Sequence, residues 1–188
     1  MRIFIALDIP AEVRVRIVEF VERARPYAAD ARWPRPEGLH VTLKFVGEVK
    51  DDKLAKIKSA LTSVKAAPFD VSFIGAGFFP GAKSPRVFWI GVDGGQALPQ
   101  LASAIEASTF TAGVAKEDRA YSPHLTLARA GSGPGAHQQL KPLASFLEGE
   151  PEPRFGTMTA REFWLYQSEL QRGGAKYTKL ERFGLAED

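Results

Sequence analysis

The pattern His-x-Thr-Leu occurs twice in the sequence, and its repetition constrains the fold more than any other feature. Residues 40–43 read His-Val-Thr-Leu and residues 124–127 read His-Leu-Thr-Leu, a separation of 84 positions. A second match, Arg-Ile-Phe at 2–4 with Arg-Val-Phe at 86–88, has the same separation. Because either match alone is compatible with chance, their agreement on one separation is the informative observation. It predicts a chain built from two halves that share an internal layout.

The distribution of apolar and polar residues predicts the order strand, helix, strand, helix, strand in each half, about 1–84 and 85–188. This order indicates an α+β fold in a single domain, 1–188, with two pseudo-symmetric lobes whose antiparallel or mixed sheets face each other. Gly-Ser-Gly-Pro-Gly at 131–135 is typical of a flexible loop. The predicted strands are about 2–8, 39–46, 69–75, 86–92, 124–129, 159–167 and 176–182, and the predicted helices are about 10–25, 51–65, 97–108 and 137–147.

Each histidine motif lies in a predicted strand, where successive side chains point to opposite faces. The apolar side chains of the motif belong in the core, so the polar ones face a cleft or solvent. Each strand therefore presents an imidazole and a hydroxyl side by side. Strict alternation places His40, Thr42 and Lys44 opposite Val41, Leu43 and Phe45 in the first strand, and His124 and Thr126 opposite Leu125 and Leu127 in the second.

Two such strands related by a pseudo-twofold axis bring two imidazoles and two hydroxyls to one point, which is the set of groups that phosphodiester hydrolysis needs. One imidazole takes a proton from the attacking water, and the other gives a proton to the leaving ribose oxygen. Histidine titrates near pH ~6.5, so both forms exist around neutrality. The hydroxyls of Thr42 and Thr126 hold the non-bridging phosphate oxygens. This chemistry requires no metal and no cofactor.

Two other interpretations of the histidines are weaker. A lone histidine on a strand is usually a core or surface residue, but here two of only three histidines occur in one pattern at the repeat distance. A zinc site is disfavoured because the sequence has no cysteine and lacks the short ligand spacings of zinc motifs. The third histidine, His137, lies in a stretch rich in Gly and Gln and is predicted to be a solvated helix residue.

Composition limits the classes of protein and partner. The absence of cysteine excludes disulfides and thiolate chemistry and fits a reducing cytoplasm. The net charge of +3 permits an anionic partner, but no run of five like charges marks a basic arm, so nucleic acid is expected to bind in a cleft. The apolar run at 3–7 ends at Asp8, too soon to span a membrane. We expect a cytoplasmic monomer without a membrane segment.

The motifs and their surroundings resemble the two-histidine (2H) phosphoesterase superfamily, whose signature is a pair of His-x-(Ser/Thr)-x motifs. Within it, the chain looks like the bacterial and archaeal RNA 2′,3′-cyclic phosphodiesterases, also called 2′-5′ RNA ligases. The similarity extends over nearly the whole chain. It is carried by Arg2–Leu7, His40–Glu48, Pro85–Val87 with Trp89, Pro123–Arg129 and Leu165–Ser168.

This resemblance implies a bilobal fold with a water-filled central groove and helices outside. It implies metal-independent hydrolysis of RNA 2′,3′-cyclic phosphate ends to 2′-phosphate ends, with a weak, reversible ability to join such ends to a 5′-hydroxyl through a 2′-5′ bond. It also implies that His40 is the proton donor and His124 the proton acceptor. The near symmetry of the two motifs leaves these two roles open at the level of the sequence.

Two basic residues are predicted to bind the substrate. Arg129 matches a family arginine associated with phosphate. Strict alternation, however, puts its side chain on the other face of the strand from His124, so it can reach the phosphate only if the strand bends near its end. Lys44 shares the predicted face of His40, where it either contacts phosphate or is solvated. Aromatic residues near the groove can stack on a base, and the sequence does not single out one of them. The candidates are Phe4, Trp33 and Phe79, each of which is also typical of a core.

Two other functions remain compatible with the sequence. Related 2H proteins act on small cyclic nucleotide phosphates or on 2′-5′ linked oligonucleotides. A non-catalytic module that binds RNA ends would keep the same groove. The intact histidine and threonine in both motifs favour an enzyme.

Overall fold

The apolar segment that opens the chain becomes an interior strand of a sheet in the computed structural model, which describes residues 1–186. Its five consecutive apolar side chains are buried on both faces, and the strand pairs with a neighbouring strand along each edge. The strands in chain order are β1 (Arg2–Asp8), β2 (His40–Glu48), β3 (Phe69–Phe79), β4 (Val87–Asp93), β5 (His124–Arg129), β6 (Arg154–Ala160), β7 (Glu162–Gln171) and β8 (Gly174–Gly184), and the helices are α1 (Ala11–Ala24), α2 (Asp51–Leu61), α3 (Ala97–Thr111) and α4 (Pro142–Glu148).

The strands form two four-stranded antiparallel sheets of the same design. The first sheet has the order β2-β1-β7-β8 and the second has the order β5-β4-β3-β6. In each sheet the strand that carries the His-x-Thr motif lies at an edge, next to the apolar strand β1 or β4. The predicted α+β class with two pseudo-symmetric lobes is confirmed.

The two sheets do not coincide with the two halves of the sequence. Strand β3 belongs to the first half but pairs with β4 and β6 of the second half. Strands β7 and β8 belong to the second half but extend the sheet that contains β1. One lobe therefore combines the two ends of the chain, and the other is built from its middle.

The strand registers correct one of the two sequence matches. His40 lies opposite Asp8 in the first sheet, and His124 lies opposite Gly91 in the second. Strands β1 and β4 are thus related by 83 positions, whereas the two motifs are separated by 84. Phe4 and Phe88, which the Arg-Ile-Phe match equates, consequently point to different faces: Phe88 lies in the main core and Phe4 in a separate cluster on the other face. This equivalence was wrong by one residue.

One hydrophobic core joins the two lobes. The ring of Phe20, on α1, lies 6.2 Å from that of Phe88 on β4 and 5.2 Å from that of Phe155 on β6. Helix α3 belongs to the second half of the sequence but packs against β2 of the first sheet. Helices α1 and α3 thus each pack against a strand from the other half of the sequence, and the lobes form one packed unit. No helix within residues 1–186 is both long and apolar enough to cross a membrane.

Three predicted elements differ in detail. The predicted helix 137–147 is a 3-10 turn, Ala136–Gln138, followed by α4, which begins at a proline suited to a first helical turn. His137 lies in that turn and not in a helix; its ring contacts the Gln138 side chain at 2.8 Å. The predicted strand 159–167 is divided between β6 and β7, and the strand predicted over 69–75 continues to residue 79.

Candidate active site

Strand β2 contains a β-bulge directly after the threonine of its motif. Thr42 lies opposite Ala6 of β1, and Lys44 lies opposite Ile5. Two residues of β2 thus advance for one residue of β1, and Leu43 is the extra residue. A bulge reverses the alternation of faces beyond it. His40 and Thr42 face the groove as predicted from alternation, but the residues after the bulge do not follow the prediction.

The bulge moves Lys44 to the face opposite His40, so the prediction that the two share a face was wrong. Lys44 is 3% exposed. Its Nζ lies 2.6 Å from a carboxylate oxygen of Glu106 on α3 and donates a hydrogen bond of 2.9 Å to the main-chain oxygen of Ala115. Lys44 therefore ties β2 to α3 in the core and does not point into the groove.

Strand β5 has a bulge at the equivalent position. Thr126 lies opposite Trp89, and Ala128 lies opposite the preceding residue of β4, Phe88, so Leu127 is the extra residue. The repeat therefore includes an irregularity of the backbone as well as the four letters of the motif. Bulges recur next to active sites because they re-aim side chains.

The second bulge brings Arg129 to the face of His124. Strict alternation placed Arg129 on the opposite face, and the bend that its predicted role required is this bulge. Its main chain is held by two hydrogen bonds with Arg32, of 2.8 and 2.9 Å. Its side chain is exposed. The guanidinium is thus available to a substrate anion beside the motif.

The two histidines are oriented in the same way. Nδ1 of His40 lies 2.6 Å from the main-chain oxygen of Gly38, and Nδ1 of His124 lies 2.7 Å from that of Ser122. A carbonyl oxygen only accepts hydrogen bonds, so Nδ1 of each ring carries a proton. The other nitrogen, Nε2, is left free to take or give a proton. Both rings are therefore prepared for acid–base chemistry through the same atom.

Burial favours the neutral form of both histidines. Burial lowers the pKa of His40 to about 4, whereas the hydrogen bond that His40 donates to the Gly38 carbonyl and the negative charge of Asp8 both raise it. Burial also lowers the pKa of His124. The charge of Arg129 lowers the pKa of both rings, so this one cation acts on both histidines. The two motifs thus converge, as expected for adjacent strands β2 and β5.

The residues opposite the two histidines break the symmetry. Asp8 faces His40, whereas Gly91 faces His124. A Cβ atom on Gly91 would lie 2.3 Å from the main-chain oxygen of Ile74, closer than atoms can approach. No side chain, and hence no carboxylate, fits there without moving β3. The carboxylate next to His40 therefore has no counterpart in the second repeat.

The carboxylate of Asp8 is held by two cations. One oxygen accepts a hydrogen bond of 2.9 Å from Arg14, and the other lies 2.5 Å from Nζ of Lys179. Arg14 also donates to the main-chain oxygens of Pro36 and Leu39, in the segment that leads into His40. This network was not predicted from the sequence, in which Asp8 is recognisable only as the end of an apolar run.

Aromatic rings surround both histidines. The ring of Phe4 lies 4.6 Å from that of His40, and the ring of Phe79 lies 4.9 Å from that of His124. Trp33, the third predicted candidate, packs against the core residue Phe88 instead. Phe45, predicted to point into the core, is turned into the groove by the bulge and is 52% exposed.

The fold and the site define the class of protein first. Two lobes of identical strand order, each with an edge strand that presents a His-x-Thr motif to a shared groove, are the architecture of the two-histidine phosphoesterases. Among residues 1–186, no group of three or more His, Asp or Glu side chains is arranged to hold a metal ion.

Comparison with known proteins gives the family. The model of the LigT-like phosphoesterases matches twice, at 7–89 and 90–177. The chain is 33% identical to the RNA 2′,3′-cyclic phosphodiesterase of Archaeoglobus fulgidus (97% of this chain, 99% of that one) and 30% identical to the enzyme of the same name from Escherichia coli (99% and 97%). The structure of E. coli LigT complexed with 3′-AMP superimposes with a TM-score of 0.80 at 30% identity, covering 99% of this chain and 98% of that one.

The chain belongs to the LigT-like phosphoesterase family. The family predicted from the motifs is confirmed. The two matches begin 83 positions apart, at residues 7 and 90, which agrees with the relation between β1 and β4. The roles of His40, Thr42, His124, Thr126 and Arg129 are not tested by these comparisons and stay predictions.

Proposed function

We propose that the protein hydrolyses 2′,3′-cyclic phosphate ends of RNA to 2′-phosphate ends without a metal ion, with His40 as the proton donor and His124 as the proton acceptor. The observation that carries this proposal is the matched pair of rings, each with Nδ1 bonded to a carbonyl and Nε2 free in one groove. Relatives named RNA 2′,3′-cyclic phosphodiesterase support the substrate, and the E. coli LigT complex with 3′-AMP supports a groove that accepts a nucleoside phosphate.

In the proposed reaction, Nε2 of His124 accepts a proton from water while the water oxygen attacks phosphorus. The bond between phosphorus and O3′ breaks, and His40 donates a proton from Nε2 to O3′. The product has a free 3′-hydroxyl and a phosphate on O2′, and exchange with solvent restores the proton to His40. The hydroxyls of Thr42 and Thr126 and the guanidinium of Arg129 stabilise the charge on the non-bridging oxygens.

The carboxylate of Asp8 supports the assignment of His40 as the donor. A donor must hold a proton when the substrate is bound, and a nearby negative charge favours the imidazolium form. Asp8 lies opposite His40, whereas His124 has Gly91 in that place. A bound phosphate anion adds to the same effect and opposes the burial that lowers the pKa of His40. His124 has no carboxylate opposite it, which fits the proposed role of proton acceptor.

The same groups support transfer of the phosphate to a second RNA. If the 5′-hydroxyl of a second RNA replaces water, His124 takes the proton of that hydroxyl and His40 again protonates O3′. The product is then a 2′-5′ phosphodiester bond. Because hydrolysis and ligation use the same proton transfers, the proposal includes a reversible 2′-5′ ligase activity.

We propose that the protein acts on RNA as a cytoplasmic monomer.

Substitution of the two histidines tests the proposal. H40A and H124A should each reduce turnover of an RNA with a 2′,3′-cyclic phosphate end by roughly 10²–10⁴-fold, because each removes one proton transfer. The matched control is H137A, which changes the histidine in the 3-10 turn and should leave turnover unchanged. Excess EDTA should have no effect, and the phosphate should remain on O2′. Near wild-type turnover by H40A or H124A would refute the proposal.

A further inference from the structure

The two carbonyl groups that orient the histidines belong to chain segments of different stiffness. In the second repeat the segment is Ser122-Pro123-His124, where the proline ring fixes φ and favours an extended conformation at the residue before it. In the first repeat the segment is Gly38-Leu39-His40. Glycine has the greatest backbone freedom of all residues, so nothing within this segment fixes the carbonyl of Gly38.

The close approach of an aromatic ring favours glycine at position 38. Gly38 ends the 3-10 turn Pro36–Gly38, and a Cβ atom on it would lie 3.1 Å from the ring of Tyr177. That distance is shorter than an ordinary contact between carbon atoms. A stiffer residue would push against this ring. The contacts that fix the carbonyl of Gly38 therefore come from outside the segment.

Arg14 supplies these contacts from the first turn of α1. Its Nη1 donates hydrogen bonds to the main-chain oxygens of Pro36, at 2.5 Å, and Leu39, at 3.4 Å, on either side of Gly38. The side chain of Arg14 is only 22% exposed, which limits competition from water for these bonds. The backbone on both sides of the orienting carbonyl is thus fastened to one guanidinium group.

The other nitrogen of the same guanidinium group is fastened to the end of β1. Nη2 of Arg14 donates to the carboxylate of Asp8, at 2.9 Å, and to the main-chain oxygen of Ile9, at 3.2 Å. The planar fork of a guanidinium serves several acceptors at once, which a single ammonium group does less well. Helix α3, which follows β4 as α1 follows β1, contains neither arginine nor lysine. The flexible segment of the first repeat thus has a clamp for which the equivalent helix of the second repeat has no side chain.

We propose that Arg14 is the positioning residue of His40: it holds the segment before β2 so that the carbonyl of Gly38 keeps a proton on Nδ1 and directs Nε2 into the groove. This inference rests on the proposed function and adds a residue that touches no reacting atom. Without the clamp, the ring of His40 loses its fixed direction and its preferred tautomer. His124 needs no such residue because Pro123 stiffens its own segment.

Steady-state kinetics separates a positioning role from an effect of the positive charge. R14Q should lower kcat for an RNA with a 2′,3′-cyclic phosphate end roughly 10- to 100-fold and leave KM nearly unchanged, because a displaced donor weakens the transition state more than binding. The charge alone predicts the opposite result: Arg14 lowers the pKa of His40, so its removal would raise the protonated fraction of the donor and the rate. R14K should recover part of kcat. A kcat of R14Q at or above that of wild type overturns the inference.

Two further variants control this measurement. R16Q makes the same change at an exposed position of α1 and should behave as wild type. The double variant D8N/R14Q shows whether Arg14 acts only through Asp8. Because D8N keeps the two bonds from Nη1, the double variant should have a lower kcat than D8N alone. Equal kcat values would mean that the contacts with the carbonyl groups contribute nothing, and they would overturn the inference.

The tautomer of His40 decides the inference independently of turnover. At pH ~8, above the lowered pKa values of both rings, 15N NMR of the imidazole nitrogens shows which nitrogen carries the proton. Wild type and R16Q should have it on Nδ1 of both His40 and His124. In R14Q it should be shared between the two nitrogens of His40 alone, and His124 is then the internal control for the fold. A proton that stays on Nδ1 of His40 overturns the inference and leaves the proposed function intact.

A second variant covers a disturbance of the fold. If R14Q changes both rings, the same spectrum of R14K decides: a change confined to His40 supports the inference, and any other result overturns it. If wild type opens no cyclic phosphate, the proposed function fails, and the tautomer of His40 in R14Q still decides whether Arg14 positions the ring.

Discussion

The two repeats have the same backbone but different neighbours. In both, the histidine begins an edge strand, its Nδ1 is bonded to the carbonyl two residues earlier, and a bulge follows the threonine. They differ in the residue opposite the histidine, Asp8 or Gly91, and in the residue beyond the bulge, Phe45 or Arg129. The shared backbone supplies two equivalent rings. We propose that these different neighbours make one ring the proton donor and the other the proton acceptor.

The difference beyond the bulge is tested by Arg129. R129A should reduce kcat/KM for a cyclic-phosphate RNA by roughly 10²-fold, because a cation beside the phosphate stabilises charge that grows as water attacks. R129K should recover only part of the activity, since an ammonium group lacks the planar fork of a guanidinium. The control is R154A, an exposed arginine paired with Glu152 at 3.3 Å. Activity of R129A within twofold of R154A would mean that the guanidinium is only a solvated surface charge.

The difference opposite the histidines is tested by Asp8. Burial holds the pKa of His40 at about 4, and Asp8 opposes this effect. D8N removes the carboxylate, so the pKa of His40 falls and less imidazolium is present at any pH above it. We expect kcat/KM at pH 7 to fall by about 10-fold, because a decrease of about one unit in the pKa of His40 reduces its protonated fraction about tenfold. The activity should recover in part as the pH is lowered. The control D70N removes a carboxylate bonded to Thr159 on the edge of the second sheet.

The pH dependence of wild-type activity follows from the lowered pKa values of the two histidines. Both histidines have a lowered pKa in the free protein, and kcat/KM reports free-protein groups. We expect kcat/KM to be largest below pH ~6.5, the ordinary pKa of histidine, and to decline as the pH rises because the donor loses its proton. A profile that rises through neutral pH would contradict the assignment of an imidazolium donor.

The smallest effect on activity is expected at Lys44, which the bulge turns away from the groove. K44M removes the ion pair with Glu106 and the bond to Ala115, so the free energy of unfolding should fall by about 2–3 kcal/mol while kcat/KM stays near wild type. Urea unfolding and steady-state kinetics measure the two quantities. The control K53M removes an exposed lysine bonded to Gly113 and should change stability by less than about 0.5 kcal/mol. A large loss of kcat/KM in K44M would restore the role predicted from the sequence.

The sequence was most informative where a period or a motif is local. The family, the two-lobed α+β class, and the faces of His40 and His124 follow from the repeated motif and from alternation before the bulges. The faces predicted from alternation were wrong at Lys44, Phe45 and Arg129, because nothing in the sequences Thr-Leu-Lys and Thr-Leu-Ala indicates a bulge in the strand.

The partners of the histidines were also out of reach of the sequence. The register between β1 and β2 is set by pairing of residues 32 positions apart, Asp8 and His40, and no local pattern gives it. The match of residues 2–4 with 86–88 suggested a register one residue away from the true one. Because of that error, Asp8 was not recognised as the equivalent of Gly91, and the proposed division of roles depends on the difference between these two residues.

A substrate that needs no proton donor tests this division most directly. In an RNA 2′,3′-cyclic phosphate with sulfur in place of O3′, the leaving thiolate departs without general acid catalysis. We predict that H40A, slow on the oxygen substrate by roughly 10²–10⁴-fold, approaches wild-type kcat/KM on the sulfur substrate, whereas H124A stays slow on both. Rescue of H124A and not of H40A would contradict the account, because His124 would then be the donor despite the carboxylate beside His40.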